Sequence, residues 1–303
     1  MSYEDFVAGF AEVQGIGSTE LLLDQHASQY SFQLNSRKRG KLMIELLRKR
    51  LQTDFVDSNV LDVGCAYGST SVEFANIGAR VTGIDTSTKW LKLAEANAKG
   101  EAEVTFLNCD ASSRLALQEL EPRGPFDLIV VNDVFEHIYD SAGLIHNLRK
   151  LLSERGSIYY KVPNGHATRN VLAEGHKKVF GITLLAPDYW HLFVKAPFHI
   201  YYRRREHFDA LFTQTGLRET MCMNECHDED IVKTQRHITN DLNRIRRQLK
   251  AENFESRAHF SHVRKACQYY FAEAAHDLET MDWWDLFYKY RVTFWEGVLS
   301  RDE

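Results

Sequence analysis

Between residues 59 and 162, five short apolar runs alternate with stretches of helical spacing, and that alternation restricts the fold more than any other feature. The runs cover 59–63, 80–84, 103–107, 126–131 and 157–162, each dense in β-branched or aromatic residues. The stretches 70–77, 88–98, 112–120 and 141–152 lie between them; in the last, Leu144, Ile145, Leu148, Leu151 and Leu152 share one face. Strands joined through crossover helices run parallel, so the pattern predicts an α/β fold of repeated βαβ units on a mostly parallel sheet, with helices on both faces. Pro163 has no N–H to give a ladder and ends the fifth run.

The flanks divide the chain into three. Residues 1–57 read as an N-terminal helical cap, with Leu42, Met43, Leu46, Leu47 and Leu51 as one apolar stripe. The core is expected over 58–225, interrupted at 163–204 by a segment without clean period that carries Phe180, Tyr189, Trp190, His191, Phe193, Phe198, His199, Tyr201 and Tyr202. So long a connection in a compact domain is usually a lid or binding loop, and its place after the fifth strand puts it over the carboxyl ends of the sheet. A helix over 206–215 and a strand over 217–223 close the core. From 226 to 303 the pattern is helical again: Ile238, Leu242, Ile245 and Leu249, then Val263, Ala266, Tyr270 and Ala274, predict an antiparallel helical pair, and the aromatics of 283–299 fit either a helix or a final edge strand from 291 onward. The stripe of such a pair must be buried, either in a homodimer or on the chain's own core.

Charge and cysteine usage remove several classes. Lys and Arg total 37 against 42 Asp and Glu, a net charge of -5, so no global field draws the chain to nucleic acid or anionic lipid. The basic run Arg244, Arg246, Arg247 and Lys250 interleaves with acids, and Arg203, Arg204 and Arg205 read first as a solvated face. No run approaches the roughly 18 unbroken apolar residues of a membrane span. Five scattered cysteines without a C-x-x-C pair argue against a disulfide framework and a structural zinc, and fit a cytoplasmic protein.

Chemistry concentrates in Asp62-Val63-Gly64-Cys65-Ala66-Tyr67-Gly68, a strand entering a glycine-bearing turn that opens a helix. The glycines let backbone approach a ligand closely. Asp85 ends the second strand, where an acid can take both hydroxyls of a ribose. Asp62 beside the turn would repel a pyrophosphate, yet suits a ligand with a positive end. A nicotinamide oxidoreductase on the same sheet, the first competitor, is disfavoured for that reason.

These residues resemble the nucleoside-methionine site of class I S-adenosylmethionine-dependent methyltransferases, over roughly residues 58 to 224. Ala66 stands where that family most often has glycine. The resemblance implies a Rossmann-like sheet, S-adenosylmethionine as cofactor and S-adenosylhomocysteine as product. It puts the methionine end at Asp62, Gly64, Cys65, Ala66 and Gly68, the ribose at Asp85 with Thr86 beside it, and the adenine at Asp110 and Ala111, with Asn132 lining the pocket. Phe126-Asp127-Leu128-Ile129-Val130-Val131-Asn132-Asp133-Val134-Phe135-Glu136-His137 is similar to the fourth-strand signature of small-molecule enzymes such as ubiquinone-biosynthesis O-methyltransferases. Pro163-Asn164 replaces the Asp-Asn of the metal-dependent catechol type, so no metal is expected.

Methyl transfer is an in-line displacement, which asks mainly for alignment and exclusion of water. The expected reaction is O-methylation of a small organic acceptor, with nitrogen or carbon as alternatives and an inactive methyltransferase-like scaffold as the non-enzyme reading. A hydroxyl acceptor is helped by a base, for which His137, His191 and His199 are the candidates. Each has a plainer reading: His137 as a loop hydrogen bond, the other two as core histidines among aromatics. Asp110 has one as well, as the cap of the following helix.

Overall fold

Neighbouring residues of the central strands serve opposite cores. Leu61, Ile129 and Val131 pack with Leu144 and Leu148 on one face, while Val60, Leu128 and Val130 pack with Ile44, Leu47 and Phe74 on the other. Burial on both faces explains why these runs are continuously apolar. The computed structural model describes residues 3–99, 104–192, 200–222, 228–251 and 257–302. Its strands are β1 (Asn59–Val63), β2 (Arg80–Asp85), β3 (Val104–Asn108), β4 (Phe126–Asn132), β5 (Leu152–Pro163), β6 (Leu217–Met221) and β7 (Phe294–Arg301).

These form one sheet in the order β3-β2-β1-β4-β5-β7-β6. β1 to β5 are parallel, with Val63 level with Ile84 on one side and Val131 on the other. β7 runs antiparallel between β5 and β6. From β1 the chain moves outward to β2 and β3, then returns to β4 on the other side of β1. That reversal opens a crevice at the carboxyl ends of β1 and β4, where sheets of this kind bind ligands.

The alternation of strands and helices holds, and the final strand is present as β7. Its position corrects the division at 225/226: the last residues complete the core sheet between β5 and β6 instead of belonging to an extension. The expected helix over 112–120 shortens to Ala116–Leu120. Asp110 Oδ1 accepts from the Ser112 N–H and Ser113 Oγ from the Leu115 N–H, so side chains hold the backbone in turns there.

Helices Tyr3–Gln14, Thr19–Gln25, Ser31–Leu34 and Ser36–Leu51 form the N-terminal cap. Phe6 and Phe10 meet Tyr67 of the glycine turn, and Phe10 stacks at 6.5 Å on Trp90. The insertion has a second core of its own: Phe180, Ile182 and Trp190 pack with Ile238, Leu242 and Ile245 of helix Asp228–Ala251 and Val263, Cys267 and Tyr270 of helix Arg257–Thr280. Trp190, one of the rings of the expected lid, is 2% exposed and a core residue. The two long helices rest chiefly on the insertion and on helix Trp283–Tyr290. Their stripe is thus covered within the chain, which removes the reason for expecting a dimer through it. Among the described residues no helix is long and apolar enough to cross a membrane.

Candidate active site

The turn after β1 carries three departures from ordinary backbone at alternate positions: Gly64 at φ +66°, Ala66 at φ +47° and Gly68 at φ +71°. A Cβ on Gly64 would lie 2.7 Å from Val134 Cγ2, and one on Gly68 2.7 Å from Phe106 Cζ. Glycine is required at both places by conformation and by space. Ala66 tolerates the left-handed region because Asp85 holds it, its N–H donating to Asp85 Oδ2 at 3.0 Å. The Cys65 N–H donates to the Ile84 carbonyl at 2.9 Å, locking the turn onto β2.

Each acid sits at or just beyond the carboxyl end of a strand. Asp85 Oδ1 accepts from the Ser87 N–H at 2.8 Å, so each carboxylate oxygen carries one internal bond and keeps a lone pair for an outside donor. Thr86 is exposed beside it. Asp110 Oδ1 accepts from both the N–H and the hydroxyl of Ser112, at 2.9 and 2.7 Å, leaving Oδ2 toward solvent. Asp110 therefore closes a turn and does not cap the next helix, which starts only at Ala116; this uses half of the carboxylate, while Ala111 is buried next to it. Asp62 is 4% exposed and accepts from Ser71 Oγ at 2.6 Å. Burial pushes its carboxyl up to about 7 despite that bond, and the charge of Asp85 adds to the rise.

Two contributors from outside the strand pattern join this crevice. Arg39 of helix Ser36–Leu51 lies beside Tyr67 and Asp133, with burial lowering its pKa and those neighbours opposing the shift. Its Nε and Asp133 Oδ1 are both buried with no hydrogen-bond partner. Asp133 follows β4 at φ +56°, burial raises its pKa, and Asn132 Nδ2 donates to its Oδ2 at 3.2 Å. Arg39 was missed because it sits on the polar face of an amphipathic helix and looks solvated.

Beyond β4, a single turn of 3-10 helix, Phe135–His137, presents Glu136 and His137. Glu136 is 1% exposed, its Oε2 has no hydrogen-bond partner, and burial with the nearby Asp133 charge drives its pKa well up. The insertion is stapled to this turn. The Tyr201 N–H donates to the Glu136 carbonyl at 2.6 Å, and the Arg203 guanidinium donates to the carbonyls of Phe135, Ile138 and Tyr139 at 3.0, 2.7 and 2.7 Å. Arg203 is thus a structural clamp. Arg205 pairs with Asp209 and Glu219, which makes the expected solvated basic run a set of tethers.

A sequence profile described as a methyltransferase domain matches residues 36–220, more than half of the chain. The chain belongs to the methyltransferase-domain family. It is 34% identical over 114 residues to a ubiquinone biosynthesis O-methyltransferase of Albidiferax ferrireducens, covering 38% of this chain and 44% of that protein. To the protein of the same name in Colwellia psychrerythraea it is 31% identical over 120 residues, covering 39% and 47%. The chain therefore spans less than half the length of these two relatives. The structure of plantazolicin methyltransferase BamL, solved with S-adenosylhomocysteine and a triazolic desmethyl analogue, superposes with a TM-score of 0.50 at 13% identity, over 99% of this chain and 97% of that one, a likeness of fold.

In this member of the family the ten residues expected at the cofactor site lie at the end of β1 and on the turn after it, at the ends of β2 and β4 and on the loop after β3, around the crevice. Of the three candidate bases, His137 lies next to that crevice; the His191 side chain and all of His199 lie outside the described residues. Sequence reasoning passed over Glu174 and His176. They carry no periodic signal, and only the fold brings His176 against His137, with ring centroids 5.3 Å apart and planes at 90°. A separate cavity lined by His166, Arg205, Asp209, Tyr288, Lys289 and Trp295 shares no residue with the crevice.

Proposed function

We propose that this methyltransferase moves a methyl group from S-adenosylmethionine to an oxygen of a small organic acceptor and releases S-adenosylhomocysteine. The observation that carries the proposal is the order of acids around a glycine cradle: Asp62 in β1, Asp85 at the end of β2 and Asp110 just past β3. The cradle fits such a donor, since Gly64 and Gly68 leave backbone open where any side chain would collide. When bound, S-adenosylmethionine supplies an electrophilic methyl on a sulfonium centre.

The chain's own residues bind and orient. Asp62 faces the donor's ammonium, and the unpartnered Nε of Arg39 suits its carboxylate. The spare lone pairs of Asp85 accept from the ribose hydroxyls, and Asp110 Oδ2 accepts from the adenine amino group. Asn132 closes the pocket at the end of β4. The insertion, stapled to the turn after β4, covers the acceptor side and excludes water. Oxygen as the acceptor atom is supported by the O-methyltransferase names of the relatives.

The test is incubation of the full chain with isotopically labelled S-adenosylmethionine and a panel of phenols, catechols, carboxylic acids and amines, followed by mass spectrometry. Label on an oxygen acceptor is the expected result. Label on nitrogen or carbon alone would correct the acceptor atom, and none on any class would remove the enzyme reading.

A further inference from the structure

Glu136, His137 and His176 each bring one ligand atom to within 4.8 Å of the others, at the acceptor side of the crevice. Three features go beyond proximity. Glu136 is 1% exposed, and its Oε2 is buried without a hydrogen-bond partner among the described residues. A buried carboxyl oxygen in that position either keeps a proton or takes a bound cation, and no hydrogen bond among the described residues reaches it.

The second feature is the hydrogen-bond chain behind His176. Tyr202 Oη donates to Glu174 Oε2 at 2.8 Å and lies 3.1 Å from His176 Nδ1. The backbone N–H groups of His176 and Lys177 donate to the same Glu174 carboxylate, which acts as the acceptor in every one of these bonds. The single Tyr202 proton is therefore committed to Glu174, and the phenol oxygen accepts from His176 Nδ1–H. That fixes the imidazole tautomer and leaves Nε2 with its lone pair, as metal-bound histidines are held by a carboxylate behind them.

The third feature is how the parts are assembled. Glu136 and His137 follow β4 while His176 sits on the insertion, and the Arg203 clamp with the Tyr201 N–H holds the two segments in register. Both histidines are exposed on their outer side, so an entry path and open coordination positions exist.

We infer that Glu136, His137 and His176 form a binding site for a divalent transition ion of the zinc, manganese or cobalt type. Two imidazoles and one carboxylate select such ions over magnesium or calcium and leave positions for outside oxygen ligands. This replaces the metal-free expectation from the sequence. It deepens the methyl-transfer reading and rests on it for its role: an acceptor hydroxyl on the ion loses its proton to water, and its oxygen lone pair forms the O–CH3 bond. The S–CH3 bond breaks with its electron pair remaining on sulfur. His137 is then a ligand, and no histidine base is required.

The test uses the full chain, stripped with chelator and titrated with cobalt(II), with its visible absorption read directly and zinc(II) added as competitor. One equivalent of cobalt, displaced by zinc and bound at least about tenfold more weakly in His137→Gln and His176→Gln, is the expected result. Tyr202→Phe, which keeps the ring and removes the anchor of Nδ1, should also weaken binding by about tenfold. The absence of saturable binding, or binding indifferent to both histidine substitutions, overturns the site. S-adenosylmethionine binding is measured on the same samples: donor binding without cobalt binding refutes only the metal, whereas cobalt binding without donor binding refutes the methyl-transfer reading and keeps the metal.

Discussion

Asp62→Asn separates what the fold wants from what the site wants. In the free protein the Asp62 carboxyl is 4% exposed, and burial raises its pKa from the ordinary aspartate value to about 7. The folded state therefore holds a proton that the unfolded chain has already released, and between those two values stability falls as pH rises. Raised by about three units, the group costs on the order of 4 kcal/mol above neutrality, of which about 3 kcal/mol develops between about pH 5 and about pH 8. Asparagine has no charge to bury and can keep a hydrogen bond to Ser71. Urea unfolding of the unliganded protein should find Asp62→Asn gaining on the wild type by about that amount across this interval. The same substitution should abolish donor binding, because it removes the counter-charge of the ammonium. Calorimetric titration at about pH 6 in buffers of different ionisation enthalpy should show the wild type releasing a proton as the donor binds. A pH-independent stability difference, or donor binding unchanged in the variant, would show that Asp62 is not the buried acid described here.

Four other substitutions test other parts of the structure. Gly68→Ala, at φ +71° with its new Cβ 2.7 Å from Phe106 Cζ, should lower stability by about 2–4 kcal/mol in denaturant melts, and an unchanged midpoint would contradict the geometry. Trp190→Ala empties a buried core position and should cost about 3–5 kcal/mol in the same assay; loss of acceptor affinity at unchanged stability would restore the ring to the substrate site. Arg39→Met should weaken donor binding by about tenfold with the fold intact, and equal affinity would place the methionyl carboxylate elsewhere. Glu174 is held down to about 2, so its stabilisation is complete above the ordinary carboxylate range and is lost as pH falls toward that value. Glu174→Gln should then flatten the acid limb of the stability curve, and a limb of unchanged slope would remove Glu174 from that role.

The parts of this fold legible in the sequence are those with local causes. Continuous apolar runs marked β1 to β5, because both faces of the central strands are covered. Gly64 and Gly68 marked the cradle, because left-handed backbone and close approach leave no other choice. The rest depends on contacts distant in the chain. β7 slots between β5 and β6, so the C-terminus belongs to the sheet although the helices before it look like an appendage. The insertion's rings read as a lid from their place after the fifth strand, and Trp190 packed with Ile238 and Val263 shows that they also build a second core. Arg39 and His176 gave no signal, since a lone basic residue on a polar helix face and a lone histidine in an irregular segment acquire meaning only when the fold sets them beside Asp133 and His137.

The most direct test of the central claim is calorimetric titration of the purified protein with S-adenosylmethionine and S-adenosylhomocysteine, with NAD and NADP as controls and Asp85→Ala as the site probe. The structure predicts one-to-one binding of the first two ligands, weakened by Asp85→Ala because that carboxylate both meets the ribose and holds the Ala66 N–H of the turn. Binding of NAD in their place, or binding of S-adenosylmethionine untouched by Asp85→Ala, would contradict it.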